Sequence, residues 1–467
     1  MQRNNNGSGN NSHSSHGGSS RIPISAKRTR ALTDAIAAAR TGKKELEVII
    51  KTEAARREEV ARQLERIGTV RHFYEFVPYL SLKCDADYAD ILRKASSGDV
   101  SDSVFEKAFR HIIPAIAAVD VSSTISIPKA KTKFRPTTVD VVHRTGGKPR
   151  IKSALWNLEA IGAYAARQYG SGDGIKVAII DTGIDYSHSQ LRERFGSEKG
   201  YDFVRNDSEP MDENGHGTHV AGTVASADYG VAPGSRLYAV RVLDADGSGS
   251  EADAIAGIEW CIKNSIDVAN MSFGSPVASQ ALEDVCVAAW QHGMLLAAAA
   301  GNNGYGANYP AAFGESVIAV AAVDEELKHP DFSNIYETND IAAPGVNVAS
   351  TYIGESYATL SGTSMASPHV AGSLALAKSV AEGISAQDLE GIMKNNADSY
   401  DEPEVFGAGL IRVDRMAKYL AENSAYASGK KSAQPLLKNY FRLEKAADSA
   451  LKGFADDAVA ELKRMLS

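Results

Sequence analysis

Between Ala154 and Leu420 short apolar runs alternate with helix-like stretches, and no other feature narrows the fold as much. The runs Lys176–Asp181, Arg236–Val242, Asp267–Met271, Leu295–Ala300 and Ser316–Val323 are rich in Val, Ile, Leu and Ala. They lack polar alternation, so both faces of each strand should be buried. Helical patterns fill most of the gaps, as at Ala252–Asn264 and Gln280–His292. Repeated strand–helix units predict a doubly wound, mostly parallel α/β sheet. Sheets of this kind take ligands at the carboxyl ends of their strands.

Three stretches place reactive groups at such positions. Val177-Ala178-Ile179-Ile180-Asp181-Thr182-Gly183 is a buried strand ending in a carboxylate and then a glycine. Asn214-Gly215-His216-Gly217-Thr218-His219-Val220-Ala221-Gly222 sets an imidazole at the start of a small-residue helix. In Gly362-Thr363-Ser364-Met365-Ala366-Ser367-Pro368-His369-Val370-Ala371-Gly372 a glycine turn delivers a serine to the first turn of a buried helix. A serine N-cap on a core helix is the bland reading of that last stretch. Yet an acid, an imidazole and a serine together are what a nucleophile, its base and an orienting carboxylate require. Other chemistries fit less well. Aspartic proteases need two facing Asp-Thr-Gly triplets, and only one occurs here. Zinc on His216 and His219 would want a third ligand and usually a glutamate between them, where this chain has Gly217 and Thr218. His219 reads as a structural histidine.

With Ala299-Ala300-Gly301-Asn302 between the second and third, these blocks resemble the signature segments of the subtilase family of serine endopeptidases, in order from about Trp156 to about Leu420. The resemblance implies that Asp181 orients His216, that His216 serves Ser364, and that Asn302 donates an oxyanion-hole amide. It implies that Asn270-Met271-Ser272-Phe273-Gly274 carries a substrate-pairing strand, through Ser272, Phe273 and Gly274. Ser248 and Gly249 resemble the opposing strand, and Ala299, Ala300 and Gly301 would line a small, uncharged pocket for the residue before the cut. Glu251 would sit at the rim of a more distant subsite and favour a basic residue. The expected partners are protein or peptide substrates. Two rival readings keep the fold: a catalytically idle peptide-binding protein, or a protease that cuts only itself.

Ahead of this domain, residues 1–26 are Asn-, Gly-, Ser- and His-rich and should form a low-complexity tail. Residues 27–128 follow a βαββαβ order: strand Leu46–Ile50, helix Glu53–Ile67, strand or hairpin Thr69–Lys83, helices Tyr88–Ala95 and Val104–Ile112, strand Ile116–Val121. That is a small α+β, ferredoxin-like plan. Just before a subtilase-like domain it resembles the inhibitory propeptide of the family, whose last strand would lead through Ser122–Pro128 into the cleft. The basic stretch 129–153 would be the linker that is processed, 154–422 the catalytic domain, and 423–467 a helical extension. That extension would pack on the catalytic domain or dock to a partner, the propeptide or a second copy.

A net charge of −8 argues against nucleic acid as the main partner. No apolar run reaches the roughly 18 residues of a membrane span, and the N-terminus from Met1 to Asn6 lacks the apolar core of a signal peptide. The expectation is a cytoplasmic protein, or one secreted without a recognisable signal. Three cysteines, Cys84, Cys261 and Cys286, cannot close a disulfide framework and read as core residues. The resemblance implies no required cofactor. Many relatives wrap a tight calcium ion in a loop that is cut short here at Ser226–Pro233. Asp202, Asp207, Glu209 and Asp212 crowd a second place where some relatives bind calcium weakly. A weak calcium site and a solvated acidic loop both remain open there, with Arg205 standing where a ligand is expected.

Overall fold

The computed structural model describes residues 32–39, 42, 44–98, 104–128, 137–138 and 155–423. The tail 1–26, most of the linker and the extension after 423 lie outside the described residues.

The N-terminal part builds one antiparallel sheet from β1 (Glu45–Thr52), β2 (Gly68–Phe73), β3 (Tyr79–Asp85) and β4 (Ile116–Val121), in the order β2-β3-β1-β4. β1 passes from the exposed Glu45 into the consecutive buried residues Val48, Ile49 and Ile50, because both faces of the sheet are covered. One face receives Val60 and Leu64 from the helix Arg57–Leu64 and Ala89 and Leu92 from the helix Ala86–Ser96. The first of these helices is shorter than the sequence suggests. A 3-10 turn, Ala54–Arg56, precedes it, and no side chain caps its start. Ile49, Tyr74, Val77 and Tyr79 from the other side join the core of the larger domain.

In the larger domain seven strands form one sheet: β7 (Lys176–Asp181), β8 (Gly200–Asp202), β9 (Arg236–Arg241), β11 (Val268–Met271), β12 (Leu295–Ala299), β13 (Ile318–Val323) and β14 (Ile341–Pro344). The order is β14-β13-β12-β11-β7-β9-β8, and every pairing is parallel. The chain moves one way from β7 to β9 and β8, then returns to the other side of β7 with β11. That reversal opens a crevice at the carboxyl ends of β7 and β11, the place where such sheets bind ligands. β10 (Ser248–Ser250) lies outside the sheet and pairs with β5 (Thr124–Ser126). A hairpin of β15 (Val348–Tyr352) and β16 (Ser356–Leu360) receives β6 (Thr137–Thr138) at its edge. The edge strands β8 and β14 and this hairpin were not expected from the sequence.

The helix Thr363–Val380 runs through the core beneath the sheet and buries every residue from Thr363 to Ala377. Burying Val370, Leu374 and Leu376 stabilises the fold by about 1.5–3 kcal/mol each. All three cysteines are buried and unpaired, and burial pushes each thiol up, that of Cys84 to about 12. Among the described residues no helix is long and apolar enough to cross a membrane.

Candidate active site

Asp181 is the last residue of β7 and is fully buried. Its Oδ1 accepts the N–H of Thr182 at 2.7 Å, and His216 Nδ1 lies 2.8 Å from Oδ1 and 3.1 Å from Oδ2. His216 opens the helix His216–Ala225. The turn before it requires a glycine. Gly215 has φ 103°, and a Cβ there would fall 2.3 Å from the ring of Tyr352. Asp212 anchors that turn to the loop after β7. Its carboxylate accepts from the N–H groups of Asn214, Gly215 and Thr218 and from the hydroxyls of Thr182 and Thr218. Burial pushes Asp212 up against the pull of those donors.

Ser364 occupies the second position of the long core helix, where backbone N–H groups have no partner within the helix. Pro368 sits one turn later and has no N–H, so the Ser364 carbonyl receives no helical hydrogen bond from it. Ser272 supplies one instead: its hydroxyl donates to the Ser364 carbonyl at 2.9 Å. In return Ser364 Oγ donates to the Ser272 carbonyl at 3.1 Å. His216 Nε2 is buried and has no hydrogen-bond partner. Asn302 follows the end of β12. Its Oδ1 accepts the N–H and the hydroxyl of Thr363, at 2.8 and 2.9 Å, which fixes the amide so that Nδ2 points outward.

What Asn302 Nδ2 meets is the carbonyl of Pro128, at 2.7 Å. The chain's own segment lies in the cleft. β5 runs antiparallel to β10, with Ser126 opposite Ser248 and Ile125 opposite Gly249. On its other side Ser126 exchanges two backbone bonds with Gly274, at 3.1 and 2.9 Å, and Ile127 donates its N–H to the Gly247 carbonyl at 3.0 Å. Ser248, Gly249 and Gly274 therefore pair with an extended segment as the sequence suggests. Ser272 and Phe273 precede Gly274 on the same stretch of backbone. Ser272 is engaged with Ser364, and the Phe273 side chain is fully buried in the core beneath the sheet's second face. Ala299 and Ala300 are buried, and Gly301 N–H donates to the Thr363 hydroxyl at 3.1 Å, so this wall is tied to the serine helix.

Glu251 is not at an open rim. It is 2% exposed, starts the helix Glu251–Lys263, and accepts the N–H of Ser123 at 3.3 Å. Burial, with Asp120 nearby, pushes its carboxyl up to about 7. The sequence placed a charge at a subsite; the N-terminal domain covers it. Other carboxylates of the larger domain also face the N-terminal one. Glu259 accepts the N–H groups of Glu75, Phe76 and Val77, at 2.7, 2.7 and 3.2 Å. Asp253 lies 2.8 Å from His72 Nε2, and Asp284 accepts from Tyr79 and Lys51. Sequence patterns could not mark these residues, because a carboxylate on a helix surface reads as solvated until its partner is known.

The acidic loop divides between buried and exposed carboxylates. Asp202 and Asp212 are buried, and Asp202 holds the Arg241 guanidinium at 3.1 Å. Glu209 accepts from Tyr186, and Asp207 caps the N–H of Glu209. The buried Arg241 guanidinium is the cation that Asp202 faces, while Asp207 and Glu209 are exposed on the loop. No group of three or more His, Cys, Asp or Glu is gathered for a metal among the described residues. In the short loop after Ala225, Arg167 donates to the Gly230 carbonyl and Arg194 to the Pro233 carbonyl. His219 Nε2 contacts the carbonyls of Val348 and Ala358, both at 3.1 Å, and burial lowers its pKa to about 3, so it is neutral.

The sequence model of the subtilase family matches residues 172–427. Over 270 residues the chain is 43% identical to subtilisin Savinase of Lederbergia lenta, a stretch that covers 56% of this chain and 98% of that protein. It is equally similar, at 43% over 270 residues, to an alkaline protease of Shouchella clausii, covering 56% of this chain and 70% of that one. Similarity to subtilisin NAT of Bacillus subtilis subsp. natto extends over 325 residues at 37%, covering 67% of this chain and 83% of that protein.

Proposed function

The chain belongs to the subtilase family and is a serine-type endopeptidase, and from that premise we propose that Asp181, His216 and Ser364 are its catalytic triad and that residues 27–128 are its inhibitory propeptide. Asp181 holds the imidazole by Nδ1 and stabilises its charged form. His216 Nε2 takes the proton of Ser364 Oγ as that oxygen bonds the substrate carbonyl carbon. The same proton passes to the leaving amine as the C–N bond breaks, and water then releases the acyl group by the reverse sequence. Asn302 Nδ2 and the Ser364 backbone N–H meet the oxyanion, the latter aided by the positive end of its helix. Protein and peptide substrates add as a strand between Ser248–Gly249 and Gly274, with Ala299, Ala300 and Gly301 beside the residue before the cut.

The observation that carries this reading is the 2.7 Å bond from Asn302 to the Pro128 carbonyl. A carbonyl held there, on a segment paired with both flanking strands, is held as a substrate's would be. The chain is then a zymogen whose linker 129–153 is cut to free the catalytic domain 154–422, with 423–467 as an extension. No step of this scheme draws on a cofactor.

Ser364→Ala tests it. The variant should fold, remain full length, and lose peptide hydrolysis by several orders of magnitude. Turnover at the wild-type rate would refute the assignment. Hydrolysis of an unrelated peptide by the wild-type enzyme separates a true protease from an idle binding protein or one that cuts only itself.

A further inference from the structure

Resting on that reading of the cleft, we infer that Pro128 makes the N-terminal domain a bound ligand rather than a substrate, so that the bond following Pro128 resists the enzyme's own active site. The register leads there. Ser126 and Gly274 form a hydrogen-bonded pair, exchanging both backbone bonds. In an antiparallel ladder such pairs recur every second residue along each strand. Two residues on, Pro128 comes opposite Ser272, and the pattern asks residue 128 to donate its N–H to the Ser272 carbonyl. Proline has no N–H to give.

The consequence is visible at the nucleophile. The Ser272 carbonyl accepts the hydroxyl of Ser364 instead, at 3.1 Å. That hydrogen is the one His216 must remove, and His216 Nε2 is left without a partner. Attack would join Ser364 Oγ to the Pro128 carbonyl carbon and release the amine of Lys129. Asn302 holds that carbonyl ready, but the nucleophile's hydrogen points at the wrong acceptor. A substrate with any other residue at this position would occupy the Ser272 carbonyl with its own N–H and leave the Ser364 hydroxyl to His216. Pro128 thus keeps the acyl group in place while holding the triad apart.

The test compares full-length wild type with Pro128→Ala and Pro128→Leu, both of which restore the N–H, and follows the new N-terminus at Lys129 by sequencing and mass over time. The double variant Pro128→Ala/Ser364→Ala shows whether any cut is the enzyme's own. Both single variants should release Lys129 on the order of a hundredfold faster than wild type, the scale of loss from a misplaced reacting group. A proline that merely ended the strand would leave that rate unchanged. Equal rates at this bond in wild type and both variants would overturn the inference while leaving the triad standing. Inability of the Pro128→Ala chain to cut either itself or added casein would overturn both. As a second readout, peptides copying Thr124–Lys133 with Pro or Ala at position 128 should differ in kcat more than in KM; equal kcat values would count against the role given to Pro128.

Discussion

Replacing Glu251 by Gln should make the intact chain more stable at high pH while changing it little at low pH. In the intact chain Glu251 is buried between Ser123 and the start of its own helix, with Ser279 as a further hydrogen-bond partner and Asp120 adding repulsion. Its carboxyl stands at about 7 against an ordinary 4.5. A raised pKa in the docked state means that docking favours the protonated acid. The stability is therefore fully present below about 4.5 and is lost as pH rises through about 7. The rise from 4.5 to about 7 corresponds to about 3 kcal/mol. The helix N-terminus favours the carboxylate by only about 0.3–1 kcal/mol, too little to reverse the sign. Glutamine mimics the protonated acid and should escape the loss. In a Ser364→Ala background, which prevents autolysis, urea unfolding of the N-terminal domain between pH 5 and 8 gives the comparison. The gap between Glu251→Gln and its parent should widen from under about 1 kcal/mol at pH 5 to about 3 kcal/mol at pH 8. A gap independent of pH, or a Gln variant weaker throughout, would refute the reasoning.

Asn302→Asp keeps the oxygen that Thr363 needs but loses the amide donor, so kcat should fall by about 10²–10³ with KM and melting temperature little changed; a full kcat would remove Asn302 from the oxyanion site. Arg194→Ala should lower stability by about 1–3 kcal/mol, because the Pro233 carbonyl loses its donor. Chelation with EDTA should leave the melting temperature of the wild type nearly unchanged; a large drop on chelation would revive a metal at Asp202, Asp207 and Glu209.

The central strands were legible because burial on both faces writes itself as a continuous apolar run. β7 begins and ends where Lys176–Asp181 does, and β9, β11, β12 and β13 differ from expectation by a residue or two at their ends. β8, three residues long at the sheet's edge, carries no such run. Nor does the β15–β16 hairpin, whose strands mix Ser, Thr and Tyr with few aliphatics and owe their place to the His216 helix they pack against. At the site, Asp181, His216, Ser364 and Asn302 could be read off because each sits in a short block of small residues and glycines. Glu251 was misplaced for the opposite reason. Its environment is made by Asp120 and Ser123, distant in sequence, and nothing local reports that a second domain lies over it. For Asp212 the sequence shows only acidic clustering, which leaves a weak calcium site and a solvated loop both open, while the five donors that meet its carboxylate belong to turns that only the fold assembles.

The account rests on Ser364 being the one serine made nucleophilic by His216. Treating the active enzyme with a fluorophosphonate and locating the adduct by peptide mass spectrometry tests this most directly. The account predicts a single adduct on Ser364, abolished by His216→Ala and absent from Ser364→Ala. An adduct on another serine, or labelling that survives either substitution at the wild-type rate, would contradict it.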